Sequence, residues 1–148
     1  MTRAQRLFGF LVLGQAAHSL EEWAFRLWDS LPPARLISAA LSDDLERGFI
    51  IFNVSIFVFG VWCFFWPVRR GWPSAPAFMW GWAIVEIANG FVHPGWSLIQ
   101  GGYTPGTVTA FLVGPLGFLL ARELRRRDRR MAGAGAVSGV DQRSVDRS

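Results

Sequence analysis

Apolar residues gather into four long blocks separated by short polar links. The blocks run from about Leu7 to Trp28, Phe49 to Trp66, Ala77 to Trp96 and Thr107 to Leu120. A helix needs ~20 largely apolar residues, at ~1.5 Å rise each, to cross the hydrocarbon core of a bilayer. The pattern therefore predicts an all-α fold, a bundle of four transmembrane helices within residues 1–124. The pair Pro32 and Pro33 is expected to break the first helix. From Ala34 to Leu45 the spacing of Leu36, Ile37, Ala40 and Leu41 predicts a short interfacial helix between spans 1 and 2. The segment "PVRRGWPSAP" reads as a turn, and "SLIQGGYTPG" as an uncharged link whose Pro105 and Gly106 set a turn. Gly114, Pro115 and Gly117 are expected to bend the fourth helix or open it for close packing.

One rival reading concerns the first block. Arg3 and Arg6, the apolar "LFGFLVLG" and the small Ala16 and Ala17 also fit a signal peptide. Cleavage there would leave an odd number of spans and put His18 at a new N-terminus.

Charge is unevenly distributed along the chain. All 15 basic residues are Arg, and the formal net charge is +4. The excess sits in "RELRRRDRR", directly after the last apolar block. Arg beside a membrane helix holds that end in the cytoplasm, so the run calls for no nucleic-acid partner. The N-terminus, the Arg69/Arg70 turn and the tail are basic, while the first link is acidic on balance and the third uncharged. This predicts a multi-pass protein of the cell membrane with both termini cytoplasmic and the lipid bilayer as its partner. Residues 125–148 are expected to form a basic, then disordered, tail, with no regular structure beyond Arg130. The 8 Trp and 13 Phe fit a lipid-facing surface, the Trp residues mostly as interfacial anchors. Cys63, the single cysteine, has no disulfide partner within the chain and reads as a small apolar core residue.

Against this background the polar residues inside the blocks stand out. An ionisable side chain at the centre of a span costs roughly 2.5 kcal/mol or more. This chain places Glu21, Glu22, Glu86, His18 and His93 in the first and third blocks. In "HSLEE", Glu21 lies about 60° to one side of His18 and Glu22 about 40° to the other, so the three share a face. Gln15 is one turn before His18 and would orient the imidazole. Arg26 is one turn after Glu22, placed to pair with it. In "EIANGFVH", Glu86, Asn89 and His93 fall within an arc of about 60°. The two blocks run in the same direction, which brings both stripes to the outer half of the membrane. Asn53 enters from the second block, and Tyr103, Thr107 and Thr109 lie near the same mouth.

His and Glu from two helices at one level match the metal stations built inside helical bundles. Imidazole with carboxylate suits a divalent ion such as Zn, Fe or Mn. The candidate ligands are His18, Glu21, Glu22, Glu86 and His93. Glu22 and Glu86 are also the candidate acid or base. Gln15, Asn53, Asn89 and Tyr103 are candidates for holding substrate or ligands. The bland alternative is a polar cluster that only holds helices together, a task that neutral Ser, Thr or Asn would do at lower cost.

The motif His18-Ser19-Leu20-Glu21-Glu22, followed by "EIANGFVHPGWSLIQGGYTPGTVTA", resembles a family of small bacterial membrane proteins named for an HXXEE motif. The resemblance covers roughly Leu7 to Arg122. That family's function is unassigned, so the resemblance implies site residues (His18, Glu21, Glu22, Glu86, Asn89 and His93) and no reaction. The function expected is a metal-dependent enzyme acting on a lipid or isoprenoid-like molecule. The alternatives are a metal-free double-bond isomerase of lipids, and a proton- or cation-coupled transporter or sensor subunit. As four short spans form a small pathway, the transporter would need a homo-oligomer.

Overall fold

The computed structural model describes the backbone of residues 1–145 and the side chains of residues 1–132. Every regular element among the described residues is helical. Helix α1 spans Arg3–Ala24 and opens on a capping box. There Gln5 N–H donates to Thr2 Oγ1 at 3.3 Å, and Thr2 N–H to Gln5 Oε1 at 2.7 Å. The helix stops well before the prolines, because Arg26 takes a left-handed conformation with φ of 57°. The four-residue α2 (Leu27–Ser30) follows, and α3 spans Pro32–Leu41. Pro32 and Pro33 therefore begin a helix rather than end one. A proline at the first helical position loses no hydrogen bond there and has the right φ.

Helix α4 spans Leu45–Cys63 and opens on Asp44, whose carboxylate accepts from Arg47 N–H at 3.1 Å. It continues through a π-helical turn, Phe64–Val68, whose wider winding accommodates Pro67. Helix α5 spans Ala75–Gln100 and α6 spans Thr107–Val145. The tail expected to lack regular structure beyond Arg130 is thus helical as far as Val145. Composition does not account for this, since Gly133, Gly135 and Gly139 disfavour a helix. Residues 146–148 lie outside the described ones.

Two helical stretches, Leu45–Val68 and Thr107–Ala132, are long and apolar enough to cross a membrane, with mean hydropathies of 2.2 and 1.4. Helices α1 and α5, of 22 and 26 residues, are long enough but carry the polar stripes.

The long helices run alternately up and down. At one end Arg3 approaches Glu123 at 3.9 Å, and Gln5 Nε2 donates to the Val68 carbonyl at 2.7 Å. This end joins the start of α1, the end of α4 and the Arg-rich part of α6. Its interior is apolar, packed from Phe8, Leu11, Met79, Trp82, Leu120 and Leu124. Cys63 is buried in the same cluster, as expected of a small apolar residue. Two tryptophans depart from the role of interfacial anchor. Trp82 belongs to this core, and Trp28 packs against Phe49 in a second cluster.

Helices α5 and α6 meet backbone to backbone. A Cβ on Gly90 would lie 2.8 Å from the Gly114 Cα, and one on Gly117 would lie 2.9 Å from the Ala83 carbonyl oxygen. The absence of side chains permits this approach. Gly90→Leu should therefore force α5 and α6 apart and cost on the order of 1–3 kcal/mol. Gly81→Leu on the same helix, where a Cβ meets nothing within 4 Å, should unfold like the wild type. Thermal unfolding in detergent compares the three proteins, and equal stability of all three would refute the close contact.

Candidate metal centre

The opposite half of the interior is polar. On α1, helical spacing puts Gln15, His18 and Glu22 on the inward face, and all three are buried. On α5, Glu86 and His93 are buried in the same way. Because α1 and α5 run in the same direction, the stripes meet level by level.

The deeper level pairs Gln15 with Glu86. With its amide nitrogen towards the acid, Gln15 donates to Glu86 Oε1 at 2.7 Å and Oε2 at 3.0 Å, and accepts from Ser19 Oγ at 3.1 Å. Asn89 Nδ2 donates to Glu86 Oε2 at 3.3 Å. The Ser19 hydroxyl also lies 2.6 Å from Asn53 Oδ1, which links this level to α4.

The outer level holds His18, Glu22 and His93. One ligand atom from each lies within 4.8 Å of the others. Glu22 Oε1 is 3.4 Å from His18 Nε2 and 3.2 Å from His93 Nε2. The two rings stand edge to face with centroids 4.7 Å apart. Proton accounting fixes their tautomers. His93 Nδ1 lies 2.7 Å from the Pro105 carbonyl oxygen, which can only accept. Nδ1 is therefore protonated. His18 Nδ1 lies 2.7 Å from Thr109 Oγ1, whose own proton goes to Glu21 Oε2 at 2.5 Å. This Nδ1 is protonated as well. In the neutral rings both Nε2 atoms then present lone pairs to a carboxylate oxygen, with no donor between them. His18 Nε2 is buried without a hydrogen-bond partner. Three lone-pair donors facing one another in a buried site repel unless a cation or proton joins them. Imidazoles whose far nitrogen is tied to a carbonyl or hydroxyl are arranged as metal ligands usually are.

Glu21 stands apart from this group, although sequence spacing makes it a candidate ligand. Its carboxylate accepts from Val108 N–H at 3.0 Å, Thr109 N–H at 2.7 Å, the Thr109 hydroxyl and the Tyr103 hydroxyl. It caps the free N–H groups in the first turn of α6, where negative charge is favoured. Adjacent residues on a helix point about 100° apart, so Glu21 faces α6 while Glu22 faces the cavity. Tyr103, in the link, has its hydroxyl pKa pushed up to about 12 by burial and by the bond to Glu21. Its hydroxyl holds Glu21. Arg26 bonds Asp29 at 2.7 Å and leaves Glu22 alone. The left-handed turn at Arg26 ends α1 and carries that side chain out to solvent. Asn53 accepts from Ser19 and donates to the Phe49 carbonyl at 3.1 Å, tying α4 to α1.

Three contributors escape sequence reading. Ser19 fills a variable position of the motif, though it is one turn from Gln15 on the same stripe. Thr109 lies near the mouth in sequence terms, but nothing there marks it as the partner of His18. Pro105 contributes only a carbonyl.

Beside the group lies a cavity of about 630 Å³. Its lining comes from α1, α2, α3, α4 and α5, and α4 and α5 scarcely touch each other beside it. Gln15, Asn53, Glu86, Asn89, Glu22 and His93 give it a polar belt, and its remaining walls are almost wholly apolar.

No curated protein and no solved structure matches the chain. A family model described as a protein of unknown function with an HXXEE motif matches residues 10–120. Spanning most of the chain and both halves of the buried His/Glu group, that match makes this protein a member of the HXXEE family.

Proposed function

We propose that this protein is a four-span membrane enzyme whose His18, Glu22 and His93 bind a divalent metal ion, and that it acts on a lipid-like substrate. The observation that carries the reading is the convergence of two Nε2 lone pairs and a carboxylate oxygen in a buried site without a donor among them. Two His and one carboxylate are ligand sets for catalytic Zn and for non-haem Fe, and Mn accepts the same donors. A metal there would act as a Lewis acid on a carbonyl or hydroxyl, or lower the pKa of water. Glu86, two turns before His93 on α5 and facing the same cavity, is the acid or base. Gln15 and Asn89 donate to its carboxyl and hold it at the cavity wall. Asn53 and Asn89 hold the polar part of the substrate at the belt.

The membrane reading is supported by an inverted distribution of polarity. Polar side chains gather inside, while Phe10, Leu20, Val58, Ile84, Phe91 and Phe111 lie on the outer faces of α1, α4, α5 and α6. A large exposed apolar surface with a charged interior suits a lipid surround. Helix α3, with Leu36, Ile37 and Leu41 exposed, would lie at the outer interface. The Arg-bearing end would face the cytoplasm with both termini.

Elemental mass spectrometry of detergent-purified wild type, His18→Ala and His93→Ala tests the centre. About one equivalent of a transition metal in the wild type and none above background in either variant is expected. No metal in wild type prepared without chelator would overturn the metal reading. The hydrogen-bonded Glu86 chain favours, as a second reading, metal-free proton transfer on a lipid double bond. Product formation that survives chelation would select it. Reporter fusions at Gly48 and after Arg130 check the sidedness.

A further inference from the structure

The cavity's charge and shape narrow the substrate further. Towards the Arg-bearing end its walls are Ile56 and Phe59 of α4 and Phe78, Gly81 and Val85 of α5. From Asn89 at the belt to Ala77 at the far end, α5 rises on the order of 18 Å. Gly81 leaves this arm open, since a Cβ there would meet nothing within 4 Å. The total volume, about 630 Å³, falls in the range of roughly 300–1,000 Å³ that holds one ligand of moderate size. It suits one hydrocarbon chain. Among the described residues no arginine lines the cavity, and two carboxylates, Glu22 and Glu86, do. Those two balance a divalent ion. An anionic headgroup would then bring a negative charge with no counter-ion into a poorly solvated site. The belt instead offers the carboxamides of Gln15, Asn53 and Asn89, which donate to and accept from uncharged oxygen and nitrogen.

We infer that the cavity binds a neutral single-chain lipid, an alcohol, ketone or amide, with its head at the belt and its chain along α5. Gly81 sets the room for that chain. The inference rests on the membrane-enzyme reading and names the substrate class for it. It takes one occupant from the bilayer through the opening between α4 and α5, and it excludes fatty acids and phospholipids.

Bromine-terminated chains test it, because bromine quenches tryptophan on contact and Trp82 lines the arm. Full-length protein in detergent is titrated with ω-bromoundecanol and with ω-bromoundecyl sulfate, a permanent anion of the same chain. Subtracting the Trp82→Phe variant isolates the Trp82 signal from that of tryptophans facing the micelle. The alcohol is expected to quench Trp82 at a concentration at least tenfold below that of the sulfate. Gly81→Leu should raise the concentration of alcohol required at least tenfold, while metal content stays as in the wild type. Equal potency of alcohol and sulfate would overturn the neutral headgroup, and unchanged potency in Gly81→Leu would overturn the chain path. Metal content of the same samples separates the two readings. Selective quenching in metal-free protein would overturn the metal centre and leave the lipid site standing. Metal-loaded protein without Trp82 quenching would do the reverse.

Discussion

Glu22→Gln is expected to abolish metal binding, and Glu21→Gln to weaken it by a different route, although the two residues are adjacent. Glu22 Oε1 lies between both Nε2 atoms and supplies the negative charge of the ligand set. The amide keeps the shape and loses the charge. Loss of a residue that merely orients a ligand lowers metal affinity 10- to 100-fold, so loss of the ligand's charge should exceed about 100-fold. The Glu22→Gln protein should unfold no earlier than metal-free wild type, because the repulsion between carboxylate and lone pairs is gone. Glu21 touches the site through Thr109, which orients His18. Glu21→Gln should therefore reduce affinity by about 10- to 100-fold. It should also lower the stability of the metal-free protein by about 1–3 kcal/mol, since the first turn of α6 loses a charged acceptor. Metal titration against a competing chelator, with thermal unfolding of the metal-free proteins, separates the two effects. Equal metal affinities in the two variants, or an unchanged melting temperature in Glu21→Gln, would refute this division of roles.

This division also marks the limit of what the sequence reveals. Helical spacing alone puts His18 and Glu22 on one face and Glu86 and His93 on another, and the shared direction of α1 and α5 makes them meet. Both inferences rest on the period of the helix, which tertiary packing leaves intact. Whether Glu21 belongs to the same group depends on where the start of α6 lies. That is a tertiary fact, settled by the turn at Pro105 and Gly106 and by the close contact of Gly90 with Gly114. The end of α1 was equally hidden. Two prolines announce a break six residues too late, because an arginine with positive φ carries no compositional signal. The boundaries of α4 moved for a local reason, the Asp44 cap. Hydropathy favours α4 and α6 over α1 and α5 as spans for a related reason. The residues that build the site are those that lower the score.

The second large effect should come from a position without a side chain. Gly106 ends the link and leads into α6 with φ of 89°. A Cβ there would lie 2.8 Å from His93 Cε1 and Nδ1 and 2.9 Å from His18 Cε1. Both rings pack on this glycine through their Cε1 edges. The Pro105 carbonyl beside it fixes His93. Gly106→Ala must therefore displace one or both rings, whose Nδ1 hydrogen bonds allow little rotation. It also imposes left-handed strain of roughly 1–2 kcal/mol. Gly101 supplies the control, with φ of 65° and nothing within 4 Å of a Cβ. Gly101→Ala carries the backbone strain without the ring contact. Both variants should unfold at a lower temperature than wild type. Only Gly106→Ala should lose metal, with affinity reduced at least about tenfold, as when the orientation of a ligand is disturbed. Full metal occupancy in Gly106→Ala would show that the two imidazoles are not held for a metal by this turn.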